Sequence, residues 1–360
     1  MKKTLYIHIG HFKTGTTALQ VFFDDHRDHF LKQNFDYAAF CLHYSKHSSL
    51  AFSLYQEAGV TELMHNYDDP VPASEQWRGL FDYVRQSESS KVLISSEEFM
   101  RLGNFPASVQ TLKEIIKNQN LDFDIKIISY LREPQAHLDS WYNQLVKMGQ
   151  FVPDFNRAVC GSIEPIHYDY ALALKPWVDL FGAENVIVRK YEHRNVSPTY
   201  IYEDFLSIVG LKAPRDAELG KNDPNPRMDA RVVEIARLLR NAGYSQSLVD
   251  YISAEAMKYL ALQDSFITSD LTPFQDIQDR CEEGLNILKT LPNVGFEPHE
   301  FVQNIPEPLP ERGQDTVGLI GFVLSELLIV KRRQKHLKAA ALTQRIANIE
   351  AKLGISEPKE

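Results

Sequence analysis

A strand, a glycine-containing loop and a helix follow one another without interruption near the amino terminus. The strand is the apolar segment 5–9, the loop spans residues 10–15, and a helical pattern begins near Thr16. The side of this helix that is expected to be buried carries Ala18, Leu19, Phe22 and Phe23. Unpaired backbone N–H groups and the helix dipole meet where such a loop enters a helix, and together they bind anions. The segment therefore predicts a binding site for a phosphate-like group at the end of a buried strand.

The loop differs from the Walker A motif in the position of its lysine. That motif reads G-x-x-x-x-G-K-[ST], and Gly10 and Gly15 have the required spacing, but Thr16 follows the second glycine. The lysine is Lys13, inside the loop. A lysine there does not span the β- and γ-phosphates as the Walker lysine does. We expect Lys13 to lie over the phosphate nearest the strand end, which argues against a nucleoside-triphosphate enzyme.

Short apolar strands alternate with helical patterns over the first two hundred residues. Strands are predicted at 4–9, 91–95, 124–130 and 185–190. Helices are predicted at 16–30, 48–58, 74–87, 107–118, 134–148, 168–181 and 198–209. This alternation is typical of an α/β fold in which helices flank a central parallel β-sheet. Ligands of such sheets bind beyond the carboxyl ends of the strands.

The carboxyl-terminal part is predicted to be mostly α-helical. Helices are expected at 227–242, 247–262 and 273–291, followed by a long pattern that reaches Leu353. We predict three parts: an α/β core at 1–212, a helical region at 213–312 that covers the substrates, and a long helix within 313–360. Apolar positions in the last helix recur at three and four residues over about two heptads. That helix either packs on its own domain or mediates self-association.

Charge and cysteine content narrow the possible partners. The chain has 48 acidic and 39 basic residues, a formal net charge of -9, which argues against nucleic-acid binding. Its three cysteines are far apart and lack the spacing of a zinc site, which indicates a reducing compartment. The basic start lacks the apolar run of a signal peptide, and the run 317–330 is too short to span a bilayer. We expect a cytoplasmic protein.

A second anion site is predicted at Arg132. The strand 124–130 leads into Leu131-Arg132-Glu133-Pro134, and proline suits the first turn of a helix. Ser140 lies about two turns into that helix. A guanidinium binds two oxygens of a phosphate and a hydroxyl binds a third. Two separated anion sites indicate a nucleotide with phosphates at two positions.

The two motifs together resemble the sulfotransferases that use 3′-phosphoadenosine 5′-phosphosulfate (PAPS). The resemblance rests on Lys13-Thr14-Gly15-Thr16-Thr17 and on the segment 130–144, and it covers roughly residues 4–210. It implies that the first loop binds the 5′-phosphosulfate and that Arg132 and Ser140 bind the 3′-phosphate. The donor-binding residues expected on this basis are His11, Phe12, Lys13, Thr14, Gly15, Thr16, Thr17, Arg132, Ser140 and Tyr191. A loop that closes over the nucleotide adds Lys221 and Arg227.

The resemblance implies in-line transfer of a sulfuryl group to an acceptor hydroxyl, with adenosine 3′,5′-bisphosphate as product. Lys13 is expected at the bridging oxygen of the leaving nucleotide, and no metal is required. The general base is expected just after the strand 91–95, where Glu97 is the first candidate and Glu98 the second. Adjacent residues on an extended chain point in opposite directions, so only one should face the site. His47, at the start of a helical pattern, is a third candidate.

The acceptor and two alternative functions stay open at this point. The acceptor is expected to be a carbohydrate or a small metabolite with a free hydroxyl. A P-loop-type nucleotide kinase is the first alternative, although Lys13 and the pair of Arg132 and Ser140 argue against it. The second is a non-catalytic nucleotide-binding scaffold that uses its carboxyl-terminal helix to bind partners.

Overall fold

The structure is a computed structural model of the 360-residue chain. It describes residues 2–60, 71–150, 152, 155–192, 197–214, 229–261, 275–307, 320, 323–324, 327, 329–331, 333, 335, 338–346 and 348. The chain divides into two compact units. The first comprises Met1–Tyr142, Phe155–Arg227 and Thr272–Pro308, and the second comprises Asn143–Asp154, Met228–Leu271 and Leu309–Glu360. The three-part division predicted from the sequence stays a prediction.

One sheet lies at the centre of the first unit. Within the described ranges it has six strands, all parallel, in the order β2-β3-β1-β4-β5-β6. The strands are β1 (Thr4–His8), β2 (Phe35–Tyr37), β3 (Lys91–Ser95), β4 (Asp124–Leu131), β5 (Val186–Lys190) and β6 (Asn293–Val294). The predicted α/β fold with a parallel sheet is confirmed. The sequence did not predict β2 and β6, because strands of three and two residues are too short to show a periodic pattern.

Helices follow the strands along the chain. They are α1 (Thr16–Asp25), α2 (Arg27–Leu31), α3 (Ser48–Glu57), α4 (Ala73–Gln86), α5 (Pro106–Lys117), α6 (Pro134–Lys147), α7 (Phe155–Arg157), α8 (Tyr170–Phe181), α9 (Tyr200–Val209), α10 (Ala230–Asn241), α11 (Gln246–Ala261), α12 (Gln275–Leu285) and α13 (His299–Val302). In the second unit, α10 packs against α11. No helix in the described part of the chain is both long enough and apolar enough to cross a membrane.

Two predicted helices differ from those of the structure. The helix expected at 16–30 is divided into α1 and α2, because His26 leaves helical geometry at φ -113° and ψ 24° and donates from Nδ1 to the Phe22 carbonyl at 2.9 Å. Of the helix expected at 273–291, the α-helical part is α12, which ends at Leu285. A 3₁₀ helix follows it over Asn286–Thr290. Of the predicted carboxyl-terminal helix, residues 338–346 are described and helical.

Both faces of the sheet are buried. On β1, the side chains of Leu5 and Ile7 belong to an apolar cluster with Trp77, whereas Tyr6 belongs to a second cluster with Phe205. Strands buried on both faces are typical of parallel sheets covered by helices. Because β3, β1, β4 and β5 are neighbours and run parallel, their carboxyl ends lie side by side at one edge of the sheet.

Candidate active site

A predicted site residue or segment follows each of these four neighbouring strand ends. The glycine-containing loop follows β1, and Glu97 lies two residues after β3. Arg132 comes directly after β4, and Tyr191 directly after β5. Residues far apart in sequence are thus brought to one edge of the sheet, at the place where parallel sheets bind ligands.

The loop after β1 adopts a conformation that depends on its glycines. Gly10, Lys13 and Gly15 have φ values of 65°, 65° and 78°. A Cβ atom added at Gly10 would lie 2.7 Å from Cγ2 of Thr16 and 3.0 Å from Cα of Glu97, so a larger residue does not fit. The left-handed conformation of Lys13 costs of order 1–3 kcal/mol, and such strain is concentrated at functional sites.

The loop leads directly into the amino terminus of α1. Gly15 is the N-cap of this helix and, having no side chain, leaves the first turn without a side-chain cap. Thr14 donates from Oγ1 to the His11 carbonyl at 2.6 Å and closes the turn that precedes it. Thr14 and Thr16 are buried and Thr17 is exposed. Backbone N–H groups at such a junction can bind an anion, so residues 10–15 are called the anion-binding loop here, and the binding of an anion stays a prediction.

Glu97 and Glu98 lie in a 3₁₀ helix, Glu97–Asn104, so the extended geometry expected for them is wrong. Ser96 caps this helix, because its Oγ accepts a hydrogen bond from the Glu98 amide at 3.2 Å. Residues three apart share a face of a 3₁₀ helix. Glu97 packs against Gly10, and Sδ of Met100 accepts from the Phe12 amide at 3.2 Å. The face with Glu97 therefore contacts the anion-binding loop.

The Glu97 carboxylate is held by two donors. Oε1 accepts from Nζ of Lys46 at 2.7 Å, and Oε2 accepts from Nε2 of Gln20 at 2.9 Å. Gln20 also donates to Oγ of Ser95 at 3.2 Å. Burial acts to raise the pKa of Glu97, but the Lys46 charge and these hydrogen bonds outweigh it and lower the pKa below its ordinary value. Glu97 is therefore ionised at neutral pH.

Glu98 points to a different environment. Its Oε2 lies 3.8 Å from the Arg101 guanidinium, and within the described residues it has no hydrogen-bond partner. Burial, followed by the negative charge of Glu97, raises the pKa of Glu98 to about 7. Two adjacent carboxyl groups thus have pKa values shifted in opposite directions by their surroundings.

His47 is fully buried among backbone groups. Its Nε2 donates to the Ala38 carbonyl at 2.9 Å, and its Nδ1 accepts from the Ser95 amide at 3.1 Å. Burial lowers its pKa to about 4. Both ring nitrogens are used in holding β3 to the segment after β2. His47 as a base stays a prediction, and this geometry does not favour it.

The second predicted anion site lies beside the first. Arg132 and Ser140 are both buried, and α6 begins two residues after Arg132. The Arg132 guanidinium lies 5.8 Å from the ring centroid of Tyr191. Cε2 of the same ring lies 3.2 Å from the position of a Cβ added at Gly15. The Tyr191 ring thus connects Arg132 with the loop. The two other residues predicted to bind the donor, Lys221 and Arg227, lie outside the described residues.

Lys46 and Gln20 were not predicted from the sequence as partners of the candidate base. Gln20 gave a usable signal, since it is a polar residue on the buried side of the first helix, next to Leu19 and Phe23. Lys46 gave none, because its contact with Glu97 joins residues 51 positions apart. His11 was predicted to contact the donor, but its ring is fully buried and hydrogen-bonded within the protein.

Over the ranges that the structure describes, no group of three or more His, Cys, Asp or Glu side chains is arranged to hold a metal ion. The expectation that the reaction needs no metal stays a prediction.

Comparisons with known proteins relate this chain to one family. A family model described as a sulfotransferase domain matches residues 6–217, which include the loop, both glutamates, Arg132, Ser140 and Tyr191. An uncharacterized protein of Archaeoglobus fulgidus is 30% identical over 139 residues, 38% of this chain and 34% of that protein. The chain thus spans about a third of that relative's length. The crystal structure of a sulfotransferase from Alicyclobacillus acidocaldarius matches with a TM-score of 0.40 and 17% identity, over 69% of this chain and 96% of that one.

Proposed function

This chain belongs to the sulfotransferase domain family, and we propose that it transfers a sulfuryl group from PAPS to an acceptor hydroxyl. The observation that supports the proposal is that the two predicted anion sites lie at neighbouring strand ends. The loop after β1 offers a helix amino terminus and Lys13, and the Tyr191 ring lies close both to Gly15 of this loop and to the Arg132 guanidinium. A nucleotide with phosphates at two separated positions fits such a pair of sites.

In the proposed complex, the loop binds the 5′-phosphosulfate. Backbone N–H groups at the start of α1 and the ammonium of Lys13 stabilise the charge that develops on the leaving 5′-phosphate. Arg132, supported by the Ser140 hydroxyl, binds the 3′-phosphate. Tyr191 positions the nucleotide between the two sites.

Glu97 is proposed as the general base. In the reaction, the acceptor oxygen forms a bond to sulfur while the bond between sulfur and the bridging oxygen of the 5′-phosphate breaks. The proton of the acceptor hydroxyl passes to the Glu97 carboxylate, and adenosine 3′,5′-bisphosphate leaves. Contact with Gly10 and an ionised carboxylate support Glu97 over Glu98, which shares a face with Arg101 instead. Fixed geometry and a charged site supply most of the catalysis in this kind of transfer.

The finer features of the reaction are also proposals. We propose a carbohydrate or a small metabolite as the acceptor, a cytoplasmic location, no nucleic-acid partner and no metal requirement. Self-association through the carboxyl-terminal helix is a further possibility to be tested by measuring the mass of the protein in solution.

The proposal is tested by transfer of labelled sulfate from PAPS to oligosaccharide, lipid and phenolic acceptors in the presence of EDTA. We expect one labelled product and an equal amount of adenosine 3′,5′-bisphosphate. Glu97→Gln should lower kcat by about a hundredfold or more, and a larger loss in Glu98→Gln would move the base to Glu98.

Two other outcomes would contradict the proposal. Phosphoryl transfer that requires ATP and Mg²⁺ would identify a nucleotide kinase. Binding of adenosine 3′,5′-bisphosphate with no transfer to any acceptor would favour a non-catalytic scaffold.

A further inference from the structure

Three buried histidines connect the anion-binding loop with the helix that carries Ser140. His11 belongs to the loop, His137 lies on α6 one turn before Ser140, and His167 ends a 3₁₀ helix that precedes α8. His11 and His137 are fully buried, and His167 is 1% exposed. The proposed reaction uses none of the three rings.

The hydrogen bonds of these rings fix a single direction. The Ile166 carbonyl can only accept, so Nε2 of His11 donates to it at 3.2 Å. Nδ1 of His11 therefore accepts from Nδ1 of His137 at 3.2 Å. Nε2 of His137 in turn accepts from Nδ1 of His167 at 3.0 Å. Each ring is a neutral imidazole with one defined tautomer.

The surroundings keep the chain neutral. Burial lowers the pKa of His11 to about 3. For His137, burial is the largest cause of a strongly lowered pKa, and the neighbouring histidines, Arg132 and Lys13 act in the same direction. The positive charges of Lys13 and Arg132 thus act on the His137 ring in the direction that keeps it neutral.

Aromatic contacts reinforce the same connection. The Trp141 ring, next to Ser140 on α6, is stacked on His167 with 4.1 Å between centroids and 21° between planes. Trp141 also contacts the Phe12 ring of the loop, at 4.8 Å between centroids. The loop and α6 are thus joined by a hydrogen-bonded chain and by packed rings.

We propose that His137 is a positioning residue, which through His11 and His167 holds the anion-binding loop and α6 as one rigid frame for the two ends of the donor. The inference rests on the proposed function for the identity of the ligand. A ligand with anionic groups at both ends binds more tightly when the two sites are already held at the correct distance from each other, because less ordering is needed on binding. A ligand with only one of these groups gains no affinity from this fixed distance.

The test measures the binding of three nucleotides by calorimetry to the parent protein and to His137→Phe. The nucleotides are adenosine 3′,5′-bisphosphate, adenosine 5′-phosphate and adenosine 3′-phosphate. Phenylalanine keeps the buried ring but removes both hydrogen bonds. We expect binding of the bisphosphate to weaken about tenfold, and binding of each monophosphate to change by less than about twofold.

Two further variants keep the test decisive. His167→Phe breaks only the last link of the chain and should give a smaller loss with the same pattern. Trp177→Phe is the matched control, because Trp177 is a fully buried aromatic residue of the same unit that contacts Phe99 and Phe181 rather than the loop. It should bind all three nucleotides as the parent does.

The outcomes separate this inference from the proposed function. Equal weakening for all three nucleotides, or no weakening for any of them, would overturn the role of His137 while leaving the donor site in place. Failure of the parent protein to bind the bisphosphate would contradict the proposed function and this inference together.

Discussion

The Lys46 ammonium lies 2.7 Å from Oε1 of Glu97, in an ion pair whose side chains are only 16% and 10% exposed. Gln20 holds the other carboxylate oxygen. An ion pair so well shielded from water strongly favours the ionised form of the acid. In the proposed reaction, Lys46 therefore sets the lowest pH at which Glu97 can accept a proton.

Replacing Lys46 should move the pH profile of the reaction. Without the ammonium, burial dominates and the pKa of Glu97 rises, so a larger fraction of Glu97 is protonated at a given acidic pH. In Lys46→Met, we expect the acid limb of the kcat/KM profile to shift upward by about one pH unit or more. Lys46→Arg keeps the charge and should leave the limb nearly in place. An acid limb that does not move in Lys46→Met would show that Glu97 is not the titrating base.

Glu98 should destabilise the protein at alkaline pH. Its pKa is raised to about 7 in the folded chain, so the folded state holds a proton that the unfolded chain loses near pH 4.5. Stability is therefore lost as the pH rises from 4.5 to 7. Glu98→Gln removes this loss. At pH 8 its free energy of unfolding should exceed that of the parent by about 3 kcal/mol, and at pH 4 the two should differ little.

Urea denaturation at both pH values measures this difference. Glu114→Gln, on the exposed surface of α5, is the control and should change stability equally little at either pH. A parent protein as stable as Glu98→Gln at pH 8 would contradict the raised pKa.

Buried histidines should make the fold sensitive to acid. His8, His11 and His47 are each buried, and burial lowers their pKa values to about 4, 3 and 4. The unfolded chain takes up protons on these residues below pH 6.5 and the folded chain does not, so stability falls as the pH falls. Each such histidine contributes up to about 1.4 kcal/mol per pH unit between the two pKa values.

Urea denaturation between pH 6.5 and pH 5 measures this slope. His8→Phe should make the slope shallower by up to about 1.4 kcal/mol per pH unit, because it removes one titrating group. Trp177→Phe, which changes a buried ring without removing a titrating group, is the control, and its slope should match that of the parent. Identical slopes in His8→Phe and the parent would contradict a neutral buried His8.

The sequence was sufficient to predict the central strands and the glycine-containing turn before α1. β1, β3, β4 and β5 are apolar runs bounded by polar residues, and the glycine spacing in 10–15 specifies a tight turn before a helix. These features depend on residues close together in the chain. The parallel sheet follows from their alternation with helices.

The rest of the site depends on contacts over long sequence separations. The ion pair of Lys46 with Glu97 and the link between His11 and His137 join residues 51 and 126 positions apart. No local pattern encodes such pairs. The 3₁₀ helix at Glu97 was also missed, because an apolar strand followed by two glutamates gives no sign of where the strand ends. Its turn is what separates the environments of Glu97 and Glu98.

The most direct test of the proposed function is calorimetric binding of three nucleotides to the parent and to Arg132→Ala: adenosine 3′,5′-bisphosphate and adenosine 5′-phosphate without divalent metal, and ATP with Mg²⁺. We predict that the parent binds the bisphosphate more tightly than ATP with Mg²⁺. Arg132→Ala should weaken binding of the bisphosphate by about tenfold or more, since charged hydrogen bonds to the 3′-phosphate are lost. Binding of adenosine 5′-phosphate should stay nearly unchanged. Equal losses for both nucleotides, or tighter binding of ATP with Mg²⁺ by the parent, would contradict it.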